Sequence, residues 1–237
     1  ACADELLIRG HEVTLYDAHP APGGLLVYGI PNFKLSKDVF FKRWEDMEKL
    51  GAKFVGNTYV GRDTTIDKIL AEGFDAMFVG VGSLIDAPMN IEGEDLPGVY
   101  EATDFLIRGN VSGKNLPKNK KPLPDLGNDV VVIGGGDTAS DCLRTSVRRG
   151  IENVTCLYRR TEAEMPGSAK DRKLAKQEGA KYNFLTQPVK FIAGEDGNLA
   201  AVECIEMELG EPDSSGRRRP VAVEGSNFSI PATTAVK

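Results

Sequence analysis

Histidine, tryptophan and cysteine are scarce in this chain of 237 residues, which has two histidines, one tryptophan and four cysteines. No two cysteines form a C-x-x-C pattern, which argues against a dithiol–disulfide reductase and against an iron–sulfur cluster held by this stretch. Cys142, Cys156 and Cys204 fall in predicted helices or strands, where we expect reduced, buried thiols. This cysteine usage predicts a cytoplasmic protein.

Long apolar runs and an excess of positive charge are also missing. No hydrophobic stretch approaches the roughly 20 residues that a membrane-spanning helix needs. The 29 lysines and arginines are outnumbered by 35 aspartates and glutamates, so nothing indicates a nucleic-acid partner. The 41% of hydrophobic residues are enough for a sizeable core, and the length suggests one or two domains. We therefore expect a globular protein with neither membrane nor nucleic acid as a partner.

The stretch 129–150, DVVVIGGGDTASDCLRTSVRRG, carries the clearest local pattern. Its first residues form a short apolar run typical of a buried parallel strand, and the residues from Asp137 onward predict a helix. Gly134 permits a tight turn between them, and Gly136 lets backbone approach a pyrophosphate at the helix N-terminus. Ala139 stands where a third small residue allows helix and strand to pack closely. This context predicts dinucleotide binding, with a plain tight turn as the alternative.

The next predicted strand, 153–158, indicates which dinucleotide is bound. Sites for NAD place an acid at the end of this strand to hold the ribose 2′-hydroxyl. Here Arg159 and Arg160 occupy that place, and guanidinium groups suit a 2′-phosphate. The sequence therefore predicts NADP(H), with a solvated arginine pair as the alternative.

An internal repeat suggests a second, incomplete dinucleotide unit at the start of the chain. The run RGHEVTLYD, 9–17, aligns with RGIENVTCLYRR after a small insertion, so that Asp17 falls where Arg159 falls. Asp17 is then the ribose-binding acid of the first unit, or else an exposed carboxylate at a strand end. By this register we expect the strand and glycine loop of that unit to precede Ala1.

Two further glycine-containing segments are candidates for contact with a flat ligand. Gly24 and Gly29 belong to a loop in which backbone can pass close to a ring, and Leu25 can pack on it. A loop with only local packing is the alternative. A buried strand is predicted over 75–81, and Gly80 and Gly82 at its end would again let backbone approach a ligand.

The remaining pattern predicts a helix over 36–50, a helix over 169–177, and an exposed connection over 109–127. Antiparallel strands are expected over 182–192 and 199–209, with a polar hairpin tip after them. A further strand and the beginning of another are expected in the last residues. His11 and His19 have no evident partner in the sequence and are expected on the surface.

Four runs carry a family resemblance: PAPGGLLVYGIPNFKL, VVVIGGGDTASDCLRTS, VTCLYRRTEAEMPGS and GEPDSSGRRRP. They are similar to the small (β) subunit of NADPH-dependent glutamate synthase, which is related to the N-terminal module of dihydropyrimidine dehydrogenase. The resemblance covers nearly the whole chain. It implies an α/β fold with two dinucleotide-binding, Rossmann-like domains, an FAD domain interrupted by an inserted NADPH domain, here truncated at both chain ends.

The resemblance implies that 1–120 form a partial FAD domain completed by 226–237, and that 121–225 bind NADP(H). It also implies hydride transfer from NADPH to FAD, with no catalytic side chain. Electrons would leave through iron–sulfur clusters, held before Ala1 in the full-length protein, toward a large subunit that makes glutamate. The residues implied to contact FAD are Asp17, Gly24, Leu25, Gly29, Gly80 and Gly82. The residues implied to contact NADPH are Gly134, Gly136, Asp137, Thr138, Ala139, Arg159 and Arg160.

Three functions stay open at this stage. The first is the glutamate synthase small subunit. The second is the same machinery with another acceptor, as in an NADPH–ferredoxin or dihydropyrimidine-type electron-transfer subunit. The third is an isolated, non-catalytic NADP(H)-binding module that retains no FAD, since both the FAD glycine loop and the closing flavin-contact segment would lie outside the chain.

Overall fold

The computed structural model describes residues 1–83, 85–212, 214 and 216–237. Its helices and strands, in chain order, are α1 (Cys2–Ile8), β1 (Thr14–Tyr16), α2 (Leu25–Tyr28), α3 (Lys37–Lys49), β2 (Lys53–Val55), α4 (Ile66–Ala71), β3 (Val99–Tyr100), α5 (Ala102–Asn110), β4 (Asp129–Ile133), α6 (Asp137–Arg148), β5 (Asn153–Tyr158), α7 (Ala169–Glu178), β6 (Lys181–Phe184), β7 (Thr186–Ala193), β8 (Leu199–Pro212), β9 (Arg218–Ala222), β10 (Phe228–Pro231) and β11 (Thr234–Val236). None of the helices described is long and apolar enough to cross a membrane.

The chain divides into two compact units. The first comprises Ala1–Leu84 and Leu106–Pro122, and the second comprises Ile85–Phe105 and Leu123–Lys237. These boundaries differ from the predicted division, and β11 lies in the second unit's sheet although 226–237 are predicted to complete the first domain. The assignment of each domain to a cofactor stays a prediction.

The first unit is built around a two-stranded parallel sheet of β1 and β2. Helices α1 and α3 cover it because their apolar residues recur at helical spacing. Leu7, Val13, Trp44 and Met47 form one core cluster here, and Trp44 packs edge-on against Phe54. Trp44 is therefore a core residue of this unit.

The second unit is built around a five-stranded sheet with the order β3-β11-β4-β5-β6, in which every pair is parallel. Its central strand β4 is almost fully buried, and Val130, Val131 and Val132 are each 1% exposed. Strands that are buried on both faces read as continuous apolar runs, as this one does.

Both faces of this parallel sheet are covered. Strands β7 and β10 flank β8 in a second, antiparallel sheet, and β9 pairs with the later part of β8. Val131 and Leu157 of the parallel sheet share a core cluster with Phe191 and Val202 of the antiparallel one. Helix α6 contacts β4 and β5, and because side chains alternate along a strand, it covers the other face.

Several sequence expectations are confirmed by these elements. The helix expected over 36–50 is α3, and the helix expected over 169–177 is α7. The single strand expected over 182–192 is wrong in one respect: β6 pairs parallel with β5, and only β7 joins the antiparallel sheet. Leu185, between them, has a positive φ of 52°, which ends one strand before the next begins.

Candidate dinucleotide site

The glycine turn between β4 and α6 forms the centre of the candidate site. Gly134 has φ of +136°, a conformation that side chains with a Cβ rarely adopt. Gly136 is the N-cap residue of α6, and the helix begins at Asp137. The first N–H groups of a helix have no partner inside it, and they carry the positive end of the helix dipole. The turn therefore presents a site for an anion.

Open space lies beside this turn. A Cβ added at Gly136 would meet no atom within 4 Å, whereas one at Gly135 would clash with the ring of Tyr158. A cleft of about 240 Å³ adjoins the turn, and its lining includes Gly134, Gly136, Thr138 and Ala139. Asp137 and Thr138 are exposed, and Ala139 is buried under the turn. The structure thus brings the five predicted residues of this motif into one place.

A second segment, residues 165–168, lies directly against the glycine turn. The amide of Gly167 donates to the carbonyl of Gly135 at 3.0 Å, and the amide of Ser168 donates to Asp137 Oδ1 at 2.7 Å. A Cβ on Gly167 would come within 2.9 Å of the carbonyl oxygen of Gly135. Sequence reasoning gave this segment no role, although its Pro166-Gly167 pair was a signal of a tight approach.

The two arginines at the end of β5 differ in their surroundings. Arg159 is exposed, and in the described part of the chain its guanidinium has no carboxylate within ion-pair distance. Arg160 is 5% exposed, and its Nε donates to the backbone carbonyl of Arg218 at 2.7 Å. The alternative of a solvated pair therefore does not describe Arg160, whereas the Arg159 side chain is exposed to solvent.

In the first unit, Asp17 lies just beyond β1, as the repeat predicts. Its Oδ1 accepts a hydrogen bond from the amide of His19 at 2.8 Å and lies 3.3 Å from Nδ1 of the same residue. The His19 ring also stacks on Tyr28, with ring centroids 4.0 Å apart. The expectation that His19 is a surface residue without a partner is therefore wrong, whereas His11 is exposed.

Tyr28 is completely buried and anchors the loop that contains the other candidate residues. Its hydroxyl donates to the carbonyl of Asn115 and accepts from the amide of Ala21, each at 3.0 Å, and burial raises its pKa to about 12. Leu25 is the first residue of α2 and is 60% exposed. Gly24, with φ of +48°, precedes the helix, and the buried Gly29 follows it. The exposed Leu25 side chain is available to a ligand.

The segment that contains Gly80 and Gly82 differs from its prediction. Residues 75–83 form no strand, both glycines are exposed, and Phe78 is 73% exposed. The strand expected over 75–81 is therefore wrong for this structure. A parallel strand needs hydrogen-bonding neighbours, and no described strand pairs with this segment.

The thiols do not form a reactive or metal-binding cluster. All four cysteines are free, and Cys142, Cys156 and Cys204 are buried. Burial raises the pKa of Cys156 and of Cys204 to about 12 and also raises the pKa of Cys142, so these thiols stay protonated. Among the described residues, no group of three histidine, cysteine or acidic side chains is arranged to hold a metal ion.

Comparison with known proteins places this geometry among oxidoreductases, although no family model matches the chain. It is 43% identical over its full length to the NADPH glutamate synthase small chain of Escherichia coli strain K12, and it covers 50% of that protein. It is 47% identical to the oxidoreductase AegA of the same organism and covers 36% of it. The chain thus spans about half or less of the length of these relatives.

The fold has a solved counterpart at lower identity. The structure of Mycobacterium tuberculosis FprA in complex with NADPH matches with a TM-score of 0.79 at 23% identity, covering 99% of this chain and 66% of FprA. This match supports the predicted α/β fold. The sequence resemblance is confirmed as well: along its whole length the chain is a homologue of part of the glutamate synthase small chain and of related oxidoreductases.

Proposed function

We propose that this chain is the NADP(H)-binding region, with part of the FAD-binding region, of an NADPH-dependent flavoprotein oxidoreductase of the glutamate synthase small-chain type. The observation that carries the proposal is the pairing of an open glycine turn at the N-terminus of α6 with an exposed arginine at the end of β5. The first suits a pyrophosphate and the second a 2′-phosphate.

The residues of the second unit fit NADP(H). The pyrophosphate would lie against Gly134, Gly136 and the first amides of α6, those of Asp137, Thr138 and Ala139. The absence of any atom near a Cβ at Gly136 leaves room for this approach. Arg159 would hold the 2′-phosphate. These residues bind and orient the dinucleotide, and Asp137 keeps the 165–168 segment against the turn through Ser168.

The residues of the first unit offer FAD a smaller set of contacts. Both contacts of Asp17 with His19 use Oδ1, so its Oδ2 meets no donor within hydrogen-bond distance in the described part of the chain. That oxygen would accept a bond from the ribose of FAD, with Gly24, Leu25 and Gly29 nearby. Gly80 and Gly82 lie in a segment without strand pairing, so their predicted contacts with FAD have no support in this geometry.

The chemistry would reside in the cofactors rather than in side chains. Bound NADP(H) would supply a hydride, which a flavin is able to accept. The protein contributes binding and orientation. Its protonated, buried thiols take no part in the reaction. In the full-length protein we propose onward electron transfer through iron–sulfur clusters to a large subunit that makes glutamate. The free, buried cysteines support a cytoplasmic location.

A different final acceptor is the second candidate. The observation that favours it is the 47% identity to AegA, a relative whose name gives it no glutamate synthase role. Acceptor assays on the full-length protein would separate the two candidates. A non-catalytic NADP(H)-binding module is the third candidate, and flavin absorbance separates it from both.

The first experiment is a visible absorption spectrum of the purified chain, recorded alone, after FAD is added, and after NADPH is added. Flavin bands that bleach with NADPH would support the proposed oxidoreductase. NADPH binding without any flavin would instead identify this chain as an NADP(H) module.

The proposed role of Arg159 is tested by Arg159→Asp. Loss of a charge-assisted contact should weaken NADPH binding on the order of 10- to 100-fold while NADH binding changes little. Arg149→Asp, an exposed arginine at the far end of α6, is the control and should change neither affinity beyond about twofold. Equal weakening of NADPH and NADH by Arg159→Asp would contradict the 2′-phosphate role.

A further inference from the structure

The cleft beside the glycine turn reaches from the end of β4 to the end of β11. Apart from the turn and β4, the residues that line it are Asp86, Ala87, Ala102, Val236 and Lys237. All of them belong to the second unit. In the sheet, β11 lies on the side of β4 opposite to β5. This half of the cleft therefore extends away from the end of β5 and contains charged residues that the glycine motif does not explain.

Asp86 is fixed in the cleft by the first turn of α5. Its Oδ2 accepts a hydrogen bond from the amide of Thr103 at 3.1 Å, and its Oδ1 accepts one from Thr103 Oγ1 at 3.0 Å. Thr103 is the second residue of α5, so its amide has no partner inside the helix. The positive end of the helix dipole favours a negative charge at this place. The carboxylate of Asp86 is thus held in position by the helix that it caps.

The negative charge of Asp86 also acts on α6, whose first turn lines the cleft. Ala102 at the start of α5 contacts this helix, since its carbonyl oxygen lies 4.0 Å from Cys142 Sγ. Burial raises the pKa of the Cys142 thiol, and the charges of Asp141 and Asp86 raise it further. The charge of Asp86 is therefore close enough to α6 to influence a charged ligand in the cleft.

Lys237, the other charged residue described in the lining, does not cancel this charge. Its side chain is 6% exposed, and its Nζ donates to Glu94 and, at 2.5 Å, to Glu101 Oε1. Glu94 is held in turn by the amides of Met89 and Asn90, each at 2.7 Å. Because two carboxylates surround one ammonium group, this cluster carries a net negative charge. Together with Asp86, it makes this end of the cleft favourable for a cation.

From this arrangement we infer that Asp86 is a specificity-determining residue, whose charge makes the site prefer oxidised NADP⁺ over reduced NADPH. The inference rests on the proposed function. With the 2′-phosphate at the end of β5 and the pyrophosphate at the end of β4, the strand order directs the nicotinamide toward β11 and Asp86. The oxidised nicotinamide ring carries one positive charge and the reduced ring carries none, so a carboxylate stabilises the oxidised form selectively. This preference favours hydride transfer from NADPH to a flavin.

The test is Asp86→Asn, which removes the charge and keeps the shape of the side chain. Calorimetry on this chain measures the dissociation constants of NADP⁺, of tetrahydro-NADP, whose neutral ring does not donate a hydride, and of 2′-phospho-ADP-ribose, which lacks the ring. Asp86→Asn should raise the ratio of the NADP⁺ constant to the tetrahydro-NADP constant about three- to tenfold, as expected for one partly screened charge pair. The affinity for 2′-phospho-ADP-ribose should follow that for tetrahydro-NADP within about twofold.

Two further variants separate the charge effect from a role in folding. Glu152→Gln removes an exposed charge just before β5, at the opposite end of the parallel sheet, and should leave the ratio within about 1.5-fold. Thr103→Val removes one hydrogen bond to Asp86 but leaves its charge in place. It should lower the unfolding temperature by about 2–4 °C and leave the ratio within about twofold.

Three outcomes would overturn the inference. An unchanged ratio in Asp86→Asn would mean that the carboxylate does not act on the nicotinamide ring. Equal weakening of all three ligands, with a lower unfolding temperature, would assign Asp86 to the fold alone. A shift of the ratio in Thr103→Val as large as that in Asp86→Asn would assign the effect to the capping of α5. Failure of the proposed function is seen separately, because the unaltered chain would then bind none of the three ligands.

Discussion

Two segments of this chain have a similar pattern of apolar residues and glycines but different structures. VVVIGGG, 130–136, and MFVGVG, 77–82, are both apolar runs that lead into closely spaced glycines. The first forms β4, which pairs with β5 and β11 and is almost fully buried. The second forms no strand, and Val79 and Val81 are 64% and 78% exposed. An apolar run predicts a buried strand only where other strands of the same fold supply its hydrogen bonds.

The largest expected difference between these segments is in stability. Leu157→Ala removes a completely buried side chain from the core beside β4 and should lower the free energy of unfolding by about 2–5 kcal/mol. Val79→Ala, in the exposed segment, should change it by less than about 0.5 kcal/mol. Urea unfolding followed by circular dichroism measures both. A comparable loss in Val79→Ala would show that residues 77–82 are buried in solution.

The second-largest difference is expected between an ion pair of the second unit and one of the first, in their contribution to the free energy of unfolding. Glu178 accepts from Nη2 of the buried Arg144 at 2.8 Å and from Nη2 of Arg148 at 2.8 Å. The hydrogen bonds with Arg144, and then those with Arg148, lower the pKa of the carboxyl group from 4.5 to about 2. Because the folded pKa is depressed, the stabilisation is complete above pH 4.5 and is lost as the pH falls toward 2. Glu178→Gln should therefore cost about 2 kcal/mol at neutral pH and flatten the acid limb of the stability profile.

The matched pair in the first unit is Arg43 with Asp4, in which Nη2 of Arg43 lies 2.5 Å from Oδ1 of Asp4 and the Arg43 side chain is 55% exposed. Asp4→Asn should have a smaller effect than Glu178→Gln, because solvent screens the exposed guanidinium of Arg43 more than the buried one of Arg144. Unfolding free energies at pH 7 and pH 3 distinguish the two. A pH profile of Glu178→Gln that parallels the unaltered chain would contradict the assignment of acid sensitivity to Glu178.

The smallest change to the fold, with a clear change in binding, is expected at the glycines. Gly136→Ala adds a methyl group where no atom lies within 4 Å, so the unfolding temperature should stay within about 2 °C. The same methyl group would occupy the space for the pyrophosphate and weaken NADPH on the order of tenfold. Gly80→Ala is the control and should leave NADPH binding unchanged. If calorimetry finds the NADPH affinity of Gly136→Ala unaltered, the placement of the pyrophosphate at this turn is contradicted.

Local sequence reasoning was most successful for elements whose backbone hydrogen bonds are formed within the element itself. Helix α3 lies within one residue of its predicted bounds at each end, because helical spacing and the glycine that follows are properties of neighbouring residues. The glycine turn and α6 were predicted for the same reason. The candidate residues at this turn were named from the sequence, and their contacts with NADP(H) remain predictions.

Reasoning from sequence failed where the outcome depended on distant residues. The pairing of His19 with Asp17 and its stacking on Tyr28 require a loop that folds back on itself. The buried Arg160 donates from Nε to the carbonyl of Arg218, a residue far away in the sequence. No periodic pattern in the local sequence predicts such contacts. The 165–168 segment against Gly135 belongs to the same class.

The sequence by itself determined the α/β class, the glycine turn at 134–136 and the arginines in place of a ribose-binding acid, because each depends on residues adjacent in the chain. Only the tertiary structure decided which of two similar apolar runs became a central strand, and which of two adjacent arginines stayed exposed. Both outcomes depend on partners brought together by the fold: β5 and β11 beside β4, and β9 beside Arg160. Hydrogen bonds between parallel strands join residues that are far apart in the sequence, so only the folded structure determines them.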